Sequence, residues 1–171
     1  MPAMDAASRG RPVPDPDTGQ QGFRGFGCPV RSEWLDYNRH VNDAAYAVVF
    51  TLANESVIDA LGLGAGYAAA TGRALFTVEA HLWYRQVVAA DGRFAAVTLV
   101  AAADDKRLRL RTRLYDVAEG GAGWAVADGE HLYLHVDRDA GRVVPFGAAA
   151  AQRLAALWAA HRDLTLPERE S

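Results

Sequence analysis

The spacing of apolar residues changes along the chain from a helical period to the period of strands. Between residues 44 and 53 nearly every position is apolar. Because a surface helix keeps a broad polar face, this segment predicts a helix that protein covers on most sides. Its polar residues form one narrow stripe at a spacing of four, namely Thr51, Glu55 and Asp59. We expect the helix to end at Gly62 or Gly64, since glycine readily adopts the left-handed conformation of a helix cap.

Alternation of apolar and polar residues predicts strands on both sides of this helix. A short apolar run at residues 26–30 precedes it, and four alternating segments follow it, at 75–88, 93–103, 106–117 and 123–137. We expect a bulge at Gly129 in the last of these strands. The turns between these strands are too short for parallel crossovers, so the sheet should be antiparallel.

An Ala/Leu-rich segment at residues 146–161 predicts a C-terminal helix. The whole pattern is that of an α+β hot-dog fold, in which a curved antiparallel sheet wraps around a long central helix. With 171 residues the chain suits one domain, which we place at residues 26–165. Residues 1–25 contain four prolines and few large apolar residues, which predicts a disordered N-terminal arm. Residues 166–171 are expected to be a flexible tail.

Charge and cysteine content exclude several functions. The net charge of −3 and the absence of a strongly basic segment argue against nucleic acid and membrane surfaces as partners. No segment approaches the ~20 apolar residues of a membrane span. The single Cys28 excludes an intrachain disulfide and disfavours a structural zinc site, so we expect a cytoplasmic protein without a bound metal.

Candidate chemistry is concentrated in the segment EWLDYNRHVNDAAY, residues 33–46, just before the central helix. If this segment is extended, Asp36, Asn38 and His40 project to one side because strand side chains alternate. A carboxylate, a carboxamide and an imidazole that converge can activate and orient water. The simpler interpretation is a helix-capping loop, with Asn42 as N-cap and Asp43 at the positive end of the helix dipole. The two interpretations are compatible, because the free amides of a helix start can stabilise an oxyanion.

Residues 36–46 resemble the Asp-x-Asn-x-His-Val-Asn-Asn-x-x-Tyr signature of hot-dog acyl thioesterases, those of the 4-hydroxybenzoyl-CoA thioesterase-like superfamily. Asp43 departs from the second Asn of that signature. Within the superfamily the chain is most similar to betainyl-CoA thioesterases, which carry similar Trp-x-Asp-Tyr-Asn-x-His, Gly-Leu-Gly-x-x-Tyr and Val-Glu-Ala-His segments. The resemblance extends over residues 26–162.

The resemblance implies an enzyme that hydrolyses a small acyl-CoA, such as betainyl-CoA, to the free acid and CoA. It places Asp36 as nucleophile or general base and the amides of residues 42–45 as the oxyanion site. Asn38 and His40 would orient water or substrate, and Glu79 is either a second base or a residue at the rim. The expected substrate contacts are Trp34, Asn42, Tyr46 and Trp83. No cofactor is expected, since CoA is part of the substrate.

Other polar and aromatic residues have two interpretations each. The arginines between residues 107 and 113 are a solvated strand face or a site for CoA phosphates. Three strand histidines are expected at the surface or an interface, namely His81, His131 and His135. Four aromatic residues are packing groups or a cage for a quaternary ammonium, namely Trp34, Tyr37, Trp83 and Trp124. The edges of one curved sheet predict a homodimer or homotetramer, with the active site at the subunit interface as the resemblance implies.

Two alternatives to a thioesterase remain open. Hot-dog enoyl-CoA hydratases carry a similar Asp-x-Asn-Pro-x-His motif, but here Arg39 follows Asn38 and the His is one residue closer, which favours the thioesterase. A non-catalytic module that binds acyl thioesters is the other alternative. Thiol release and hydration of a double bond are the measurements that separate these functions.

Overall fold

The predicted strands form one antiparallel sheet in the computed structural model, which describes residues 21–117 and 123–170. The elements in chain order are β1 (Phe23–Pro29), α1 (Asp43–Ala60), α2 (Ala65–Thr71), β2 (Arg73–Tyr84), β3 (Arg93–Ala103), β4 (Arg107–Asp116), β5 (Gly123–Asp137), β6 (Arg142–Val143), α3 (Ala148–His161) and β7 (Arg169–Glu170). Most of the predicted arm, residues 1–20, lies outside the described residues. The first strand begins at Phe23, three residues earlier than predicted.

Neighbouring strands follow the order β1-β3-β4-β5-β2, and the short strands β6 and β7 both pair with β5. Every pairing is antiparallel. Helix α1 packs on one face of this curved sheet, which we call the inner face, and the α+β hot-dog fold is confirmed. The structure adds α2, which the sequence patterns did not predict. Among the described residues no single helix is both long and apolar enough to cross a membrane; α1 and α2 meet the two criteria only as a pair, which is bent by 59°.

Helix α1 begins and ends where the sequence predicts. Asn42 is its N-cap, and after Ala60 the chain turns at Gly62, whose φ of 72° favours glycine. Three of its apolar residues are completely buried against the sheet, namely Val49, Phe50 and Ala53. Burial of each large side chain stabilises the fold by ~1.5–3 kcal/mol.

The packing of α1 against β5 explains why residue 129 is a glycine. The predicted bulge at this position is wrong. A Cβ atom at Gly129 would lie 2.7 Å from Cε1 of Phe50, so only glycine leaves room for that ring. The bulge in β5 lies nearer its start, because Leu114 pairs with Ala127 and the next residue of β4 pairs with Ala125. The glycine therefore allows α1 to approach the sheet closely at Phe50.

Two of the strand histidines are buried inside the chain, which corrects the prediction that they lie at the surface or at an interface. His131 is 5% exposed beneath Phe50, and His135 is 0% exposed. The imidazole of His135 binds the Tyr67 hydroxyl and the Val144 carbonyl, both at 2.9 Å. Alternation alone did not reveal this, because a helix can cover a strand face that carries a polar residue, and His135 is buried there with both ring nitrogens bonded. His81 is exposed, as predicted.

A chain of buried hydrogen bonds crosses the core from β3 to β5. The Thr112 hydroxyl donates to Oδ1 of Asn54 at 2.7 Å, so Thr98 is the donor to Thr112 at 2.9 Å. Nδ2 of Asn54 then donates to the Tyr133 hydroxyl at 3.0 Å. Burial raises the pKa of Tyr133 to about 12, so its phenol stays protonated. These hydrogen bonds satisfy the side-chain amide of Asn54, so α1 can place this polar residue in the core.

The C-terminal residues pack on the outer face of the sheet, contrary to the predicted flexible tail from residue 166. Leu166 is buried in a cluster that includes Tyr115, whose hydroxyl donates to the Pro167 carbonyl at 2.7 Å. Arg113 donates to the Leu166 carbonyl at 2.9 Å and to the Glu168 carboxylate at 2.8 Å. Polar composition predicted mobility here, but the unpaired carbonyls of the segment meet arginines of β4.

Strand β2 forms one edge of the sheet and exposes several large apolar side chains, namely Phe76, Val78, Trp83 and Tyr84. Thr77 pairs with Tyr133 and Glu79 pairs with Leu132, so Val78 is an extra residue in a bulge. Because of this bulge, Thr77 shares the inner face with Tyr133, whereas Glu79 points outward. A long apolar edge of this kind favours contact with another protein surface.

Candidate active site

The segment before α1 folds into a tight turn, so the prediction of an extended segment is wrong. Leu35 and Val41 form an antiparallel bridge, and the Asp36 N–H donates to the His40 carbonyl at 2.8 Å. Arg39 has a φ of 61°, a left-handed conformation that reverses the chain. The alternating polar residues therefore belong to a turn whose backbone amides converge on one carboxylate.

That carboxylate belongs to Asp36. Its Oδ1 accepts the backbone N–H of Asn38 at 2.8 Å and the backbone N–H of His40 at 3.0 Å. The His40 N–H holds the pKa of the Asp36 carboxyl below its ordinary value, helped by the amide and carboxamide of Asn38 and the His40 imidazole. The structure thus brings together Asp36, Asn38 and His40, and Asp36 is ionised at neutral pH.

Asn42 joins this turn to the helix. Its Oδ1 accepts the Ala45 N–H at 2.9 Å, and its Nδ2 donates to the Trp34 carbonyl at 2.8 Å. Both ends of the carboxamide are therefore bound within the chain, so Asn42 positions the turn against the helix, and its contact with substrate stays a prediction.

The amides predicted as oxyanion donors differ in their availability. The Asn42 N–H donates to the Trp34 carbonyl at 2.9 Å, and the Ala45 N–H is held by Asn42. The Ala44 N–H donates to Oδ1 of Asp43 at 3.0 Å. Within the described residues, the Asp43 N–H is the one amide of these four without an acceptor. It points from the positive end of α1 and is the best placed oxyanion donor of the group.

A pocket of about 300 Å³ opens beside this helix start. Its lining consists of Val41, Asp43, Tyr46, Tyr84, Arg85, Gln86 and Val87. The segment after β2 forms one wall, because the Val41 N–H donates to the Val88 carbonyl at 2.9 Å. The pocket and the turn at residues 36–40 therefore share the start of α1 as a common boundary.

Two tyrosines form the aromatic side of the pocket. The Tyr46 hydroxyl donates to the Gln86 carbonyl at 3.1 Å, and burial raises the pKa of Tyr46 to about 12. Its ring meets that of Tyr84 edge to face, with centroids 5.4 Å apart. The sequence predicted Tyr46 but missed Tyr84, although Tyr84 follows Leu82 on the inner side of the β2 alternation.

The remaining predicted residues lie elsewhere. Glu79 is on the outer face, where its carboxylate is 3.5 Å from Arg109 in a partly exposed ion pair. Trp83 is also on the outer face, against His81, and is 53% exposed. Trp34 is 7% exposed and packs near Phe94 in the core. Within one chain, none of these three residues lines the pocket.

Three of the four arginines of β4 are paired with carboxylates, whereas Arg111 donates to the Leu164 carbonyl at 3.1 Å. Arg109 binds Glu130 at 2.9 Å, and Arg113 binds Asp128 with a shortest distance of 2.6 Å. These pairs neutralise the basic face that the sequence suggested as a phosphate site. In the part of the chain that the structure describes, no cluster of three His, Cys, Asp or Glu side chains has the geometry of a metal site.

Residues 30–154 match the family model of the thioesterase-like superfamily. The chain belongs to this superfamily. The turn of Asp36 and the whole of α1 lie within the matched region, so the predicted family and the enzyme class, thioester hydrolase, are confirmed.

Comparisons with individual proteins agree with this family assignment. The chain is 39% identical over 143 residues to a betainyl-CoA thioesterase of Pseudomonas aeruginosa, covering 84% of this chain and 88% of the relative. A hypothetical protein of Staphylococcus aureus, solved in complex with CoA, has a TM-score of 0.73 at 23% identity and covers 83% of this chain and 87% of its own. A DHNA-CoA thioesterase of the same species has a TM-score of 0.68 at 13% identity, covering 78% and 89%. At these identities the two structures support the fold.

Proposed function

We propose that the protein hydrolyses betainyl-CoA to betaine and CoA, at the turn of Asp36 and the start of α1. The observation that carries this proposal is the ionised Asp36 carboxylate, which two backbone amides fix in the turn that leads into α1. The pocket at the start of α1 is lined by Val41 and Asp43 of the same segment and, within one chain, not by Asp36 itself. The choice of acyl group rests on the 39% identity to the betainyl-CoA thioesterase of Pseudomonas aeruginosa.

In the proposed reaction Asp36 acts as nucleophile or as general base. As a base, its carboxylate accepts a proton from water while the water oxygen bonds to the thioester carbon. As a nucleophile, it forms an anhydride that water then hydrolyses. Asn38 and His40 hold Asp36 in place, and the Asp43 N–H donates to the developing oxyanion.

The leaving group needs little help. The thiol of CoA resembles a cysteine thiol with a pKa of ~8.5, so it can depart as the thiolate. An ionised carboxylate and one or two positioned amides are therefore sufficient for hydrolysis of the thioester. The proposed reaction uses no metal or cofactor. We also propose that the enzyme acts in the cytoplasm, where the buried Cys28, with its pKa raised to about 11 by burial, stays a thiol.

The proposed active unit is a homodimer or homotetramer with the site at a subunit boundary. The apolar β2 edge supports this assembly, because a second copy would cover Val78 and Tyr84, which are 48% and 53% exposed. Tyr84 belongs both to this edge and to the pocket. A second copy at the edge would therefore also shield the pocket from water.

A thiol-release assay tests the proposed function. The purified protein is mixed with betainyl, short-chain, aromatic and long-chain thioesters of CoA and of acyl-carrier protein, and free thiol is followed with a chromogenic reagent. We expect the highest kcat/KM with betainyl-CoA. Hydration of crotonyl-CoA without thiol release would indicate a hydratase, and binding without turnover would indicate a non-catalytic module; either result overturns the proposal.

A further inference from the structure

The chemistry of a betainyl thioester restricts where its charged group can lie. One methylene separates the ammonium nitrogen from the carbonyl carbon, which corresponds to about 2.5 Å at ordinary bond lengths and angles. A carbonyl whose oxygen faces the Asp43 N–H therefore places the trimethylammonium group within a few ångströms of the first turn of α1. The groups that recognise the cation must belong to the pocket at that turn.

The Asp43 side chain has the charge and the freedom for this role. One carboxylate oxygen accepts the Ala44 N–H at 3.0 Å, and the other has no partner among the described residues. Asp43 is exposed and lines the pocket. Its amide and its carboxylate are thus available at the same residue, one for the oxyanion and one for the cation.

The charge of Arg85, the one cationic residue of the pocket lining, is compensated. Its guanidinium binds the Glu168 carboxylate at 2.9 Å and lies 3.6 Å from Asp128. Both partners belong to the outer-face network around Arg113. The Asp43 carboxylate is therefore the lining charge that lacks an ion-pair partner in the described chain.

The aromatic wall of the pocket differs from the predicted cage. Trp34 is buried in the core, Trp83 lies on the outer face, and neither Tyr37 nor Trp124 lines the pocket. Tyr84 takes their place: its ring lines the pocket, and its hydroxyl donates to the Asp43 carbonyl at 3.4 Å. A quaternary ammonium cannot donate hydrogen bonds and is held by carboxylates and aromatic rings, which are the groups present here.

We propose that the Asp43 carboxylate and the Tyr84 ring form the subsite that selects a quaternary ammonium group in the acyl chain. This inference rests on the proposed thioesterase function and adds the residues that set its specificity. It assigns to Asp43 a role beyond its favourable position at the start of a helix.

Two substrates of nearly equal shape test this proposal. 3,3-Dimethylbutyryl-CoA replaces the nitrogen of betainyl-CoA with carbon, so it removes the charge and keeps the size. The measured quantity is the ratio of kcat/KM for betainyl-CoA to kcat/KM for the neutral analogue. In Asp43→Asn, which retains an oxygen acceptor for the Ala44 N–H, we expect this ratio to fall about tenfold. Asp163→Asn is the matched control, since Asp163 is exposed beyond α3, and it should leave the ratio unchanged.

Substitutions of Tyr84 give a second test of the proposal. Tyr84→Leu removes the ring and should lower the same ratio, whereas Tyr84→Phe keeps the ring and should preserve it. Added salt should also lower the ratio in the unsubstituted enzyme, because part of the selectivity is electrostatic. Thermal unfolding of each variant separates loss of fold from loss of selectivity.

The outcomes distinguish a failure of the proposed subsite from a failure of the proposed thioesterase function. If Asp43→Asn and Tyr84→Leu change both substrates by the same factor, Asp43 serves the helix alone and the subsite is wrong, although thioester hydrolysis stands. An unsubstituted enzyme that prefers the neutral analogue also overturns the subsite. If no thioester releases thiol, the proposed function itself fails.

Discussion

Asp36 accepts the backbone N–H of His40 at 3.0 Å, so the carboxylate proposed to act on the thioester also closes its own turn. The same oxygen accepts the Asn38 N–H. Because these bonds come from the backbone, the turn presents the carboxylate in one orientation whatever the side chains at its tip. The function of Asp36 must therefore be tested with substitutions that preserve the turn.

Asp36→Asn should lower kcat for thiol release by about 10³-fold, because a carboxamide accepts the two amides but cannot act as base or nucleophile. His40→Ala should cause a smaller loss, because the backbone N–H of residue 40 is retained. Thiol release under saturating substrate measures both effects. Asp105→Asn, in an exposed turn, is the control. Unchanged rates in Asp36→Asn would remove this residue from the chemistry.

The pH dependence follows from the lowered pKa of Asp36. The group is ionised above its ordinary pKa of 3.8, and it is protonated only as the pH falls through the still lower value in the folded protein. The acid limb of kcat/KM should therefore lie below pH 3.8 if the fold survives there. Asn38→Ala removes one stabilising carboxamide and should move this limb upward. Tyr37→Ala, at the 95% exposed tip of the turn, should not move it.

Loss of the Asn54 side chain should destabilise the core. Asn54→Leu removes the acceptor of the buried Thr112 hydroxyl and a donor to the Tyr133 hydroxyl, which corresponds to about 2–4 kcal/mol in the free energy of unfolding. Urea denaturation measures this quantity. Thr51→Ala, on the exposed side of the same helix, should change it by less than about 0.5 kcal/mol. Equal effects of the two substitutions would show that the chain of hydrogen bonds contributes little.

Gly129→Ala should lower the free energy of unfolding by about 1–3 kcal/mol, because the new methyl group meets the Phe50 ring. Gly66→Ala is the control and should raise the free energy of unfolding. Nothing lies within 4 Å of a Cβ atom at this position, and alanine favours the helix α2. Thermal or urea unfolding compares the two. A stable Gly129→Ala protein would mean that Phe50 has another rotamer available.

The proposed assembly predicts that a charge on the β2 edge separates the subunits. Val78→Lys should shift the sedimentation coefficient towards the monomer and lower thiol release, because the apolar edge becomes charged. Val143→Lys, in the short strand β6 and 41% exposed, introduces the same charge elsewhere. If Val78→Lys sediments like the unsubstituted protein, the interface lies on another surface.

The sequence predicted most of the fold because its elements have strong periodic patterns. The buried helix, its Asn42 cap and its end at Gly62 follow from local rules, and so do the antiparallel strands. The errors arose where long-range packing decides the structure. Gly129 has a helix against it, His135 finds Tyr67 across 68 residues, and the tail meets Arg113. Sequence spacing carries no information about such partners.

The candidate site was predicted only in part, because its geometry also depends on contacts that sequence spacing does not reveal. The grouping of Asp36, Asn38 and His40 is correct, but the alternation suggested an extended chain where a left-handed Arg39 makes a turn. The resemblance left Glu79 as a second base or a residue at the rim, and the extra residue Val78 sends it to the outer face, where it pairs with Arg109. Tyr84 was overlooked because a tyrosine on a strand is ordinary until the structure shows which pocket it lines.

The bulge at Val78 has a consequence for how copies of the chain can meet. An uninterrupted edge can pair in many registers and can continue from copy to copy without end. A single extra residue spoils most of those registers, because a neighbouring strand must accommodate the same irregularity. Two such edges related by a twofold axis meet with their bulges in equivalent positions, which favours a closed pair over an open-ended fibre.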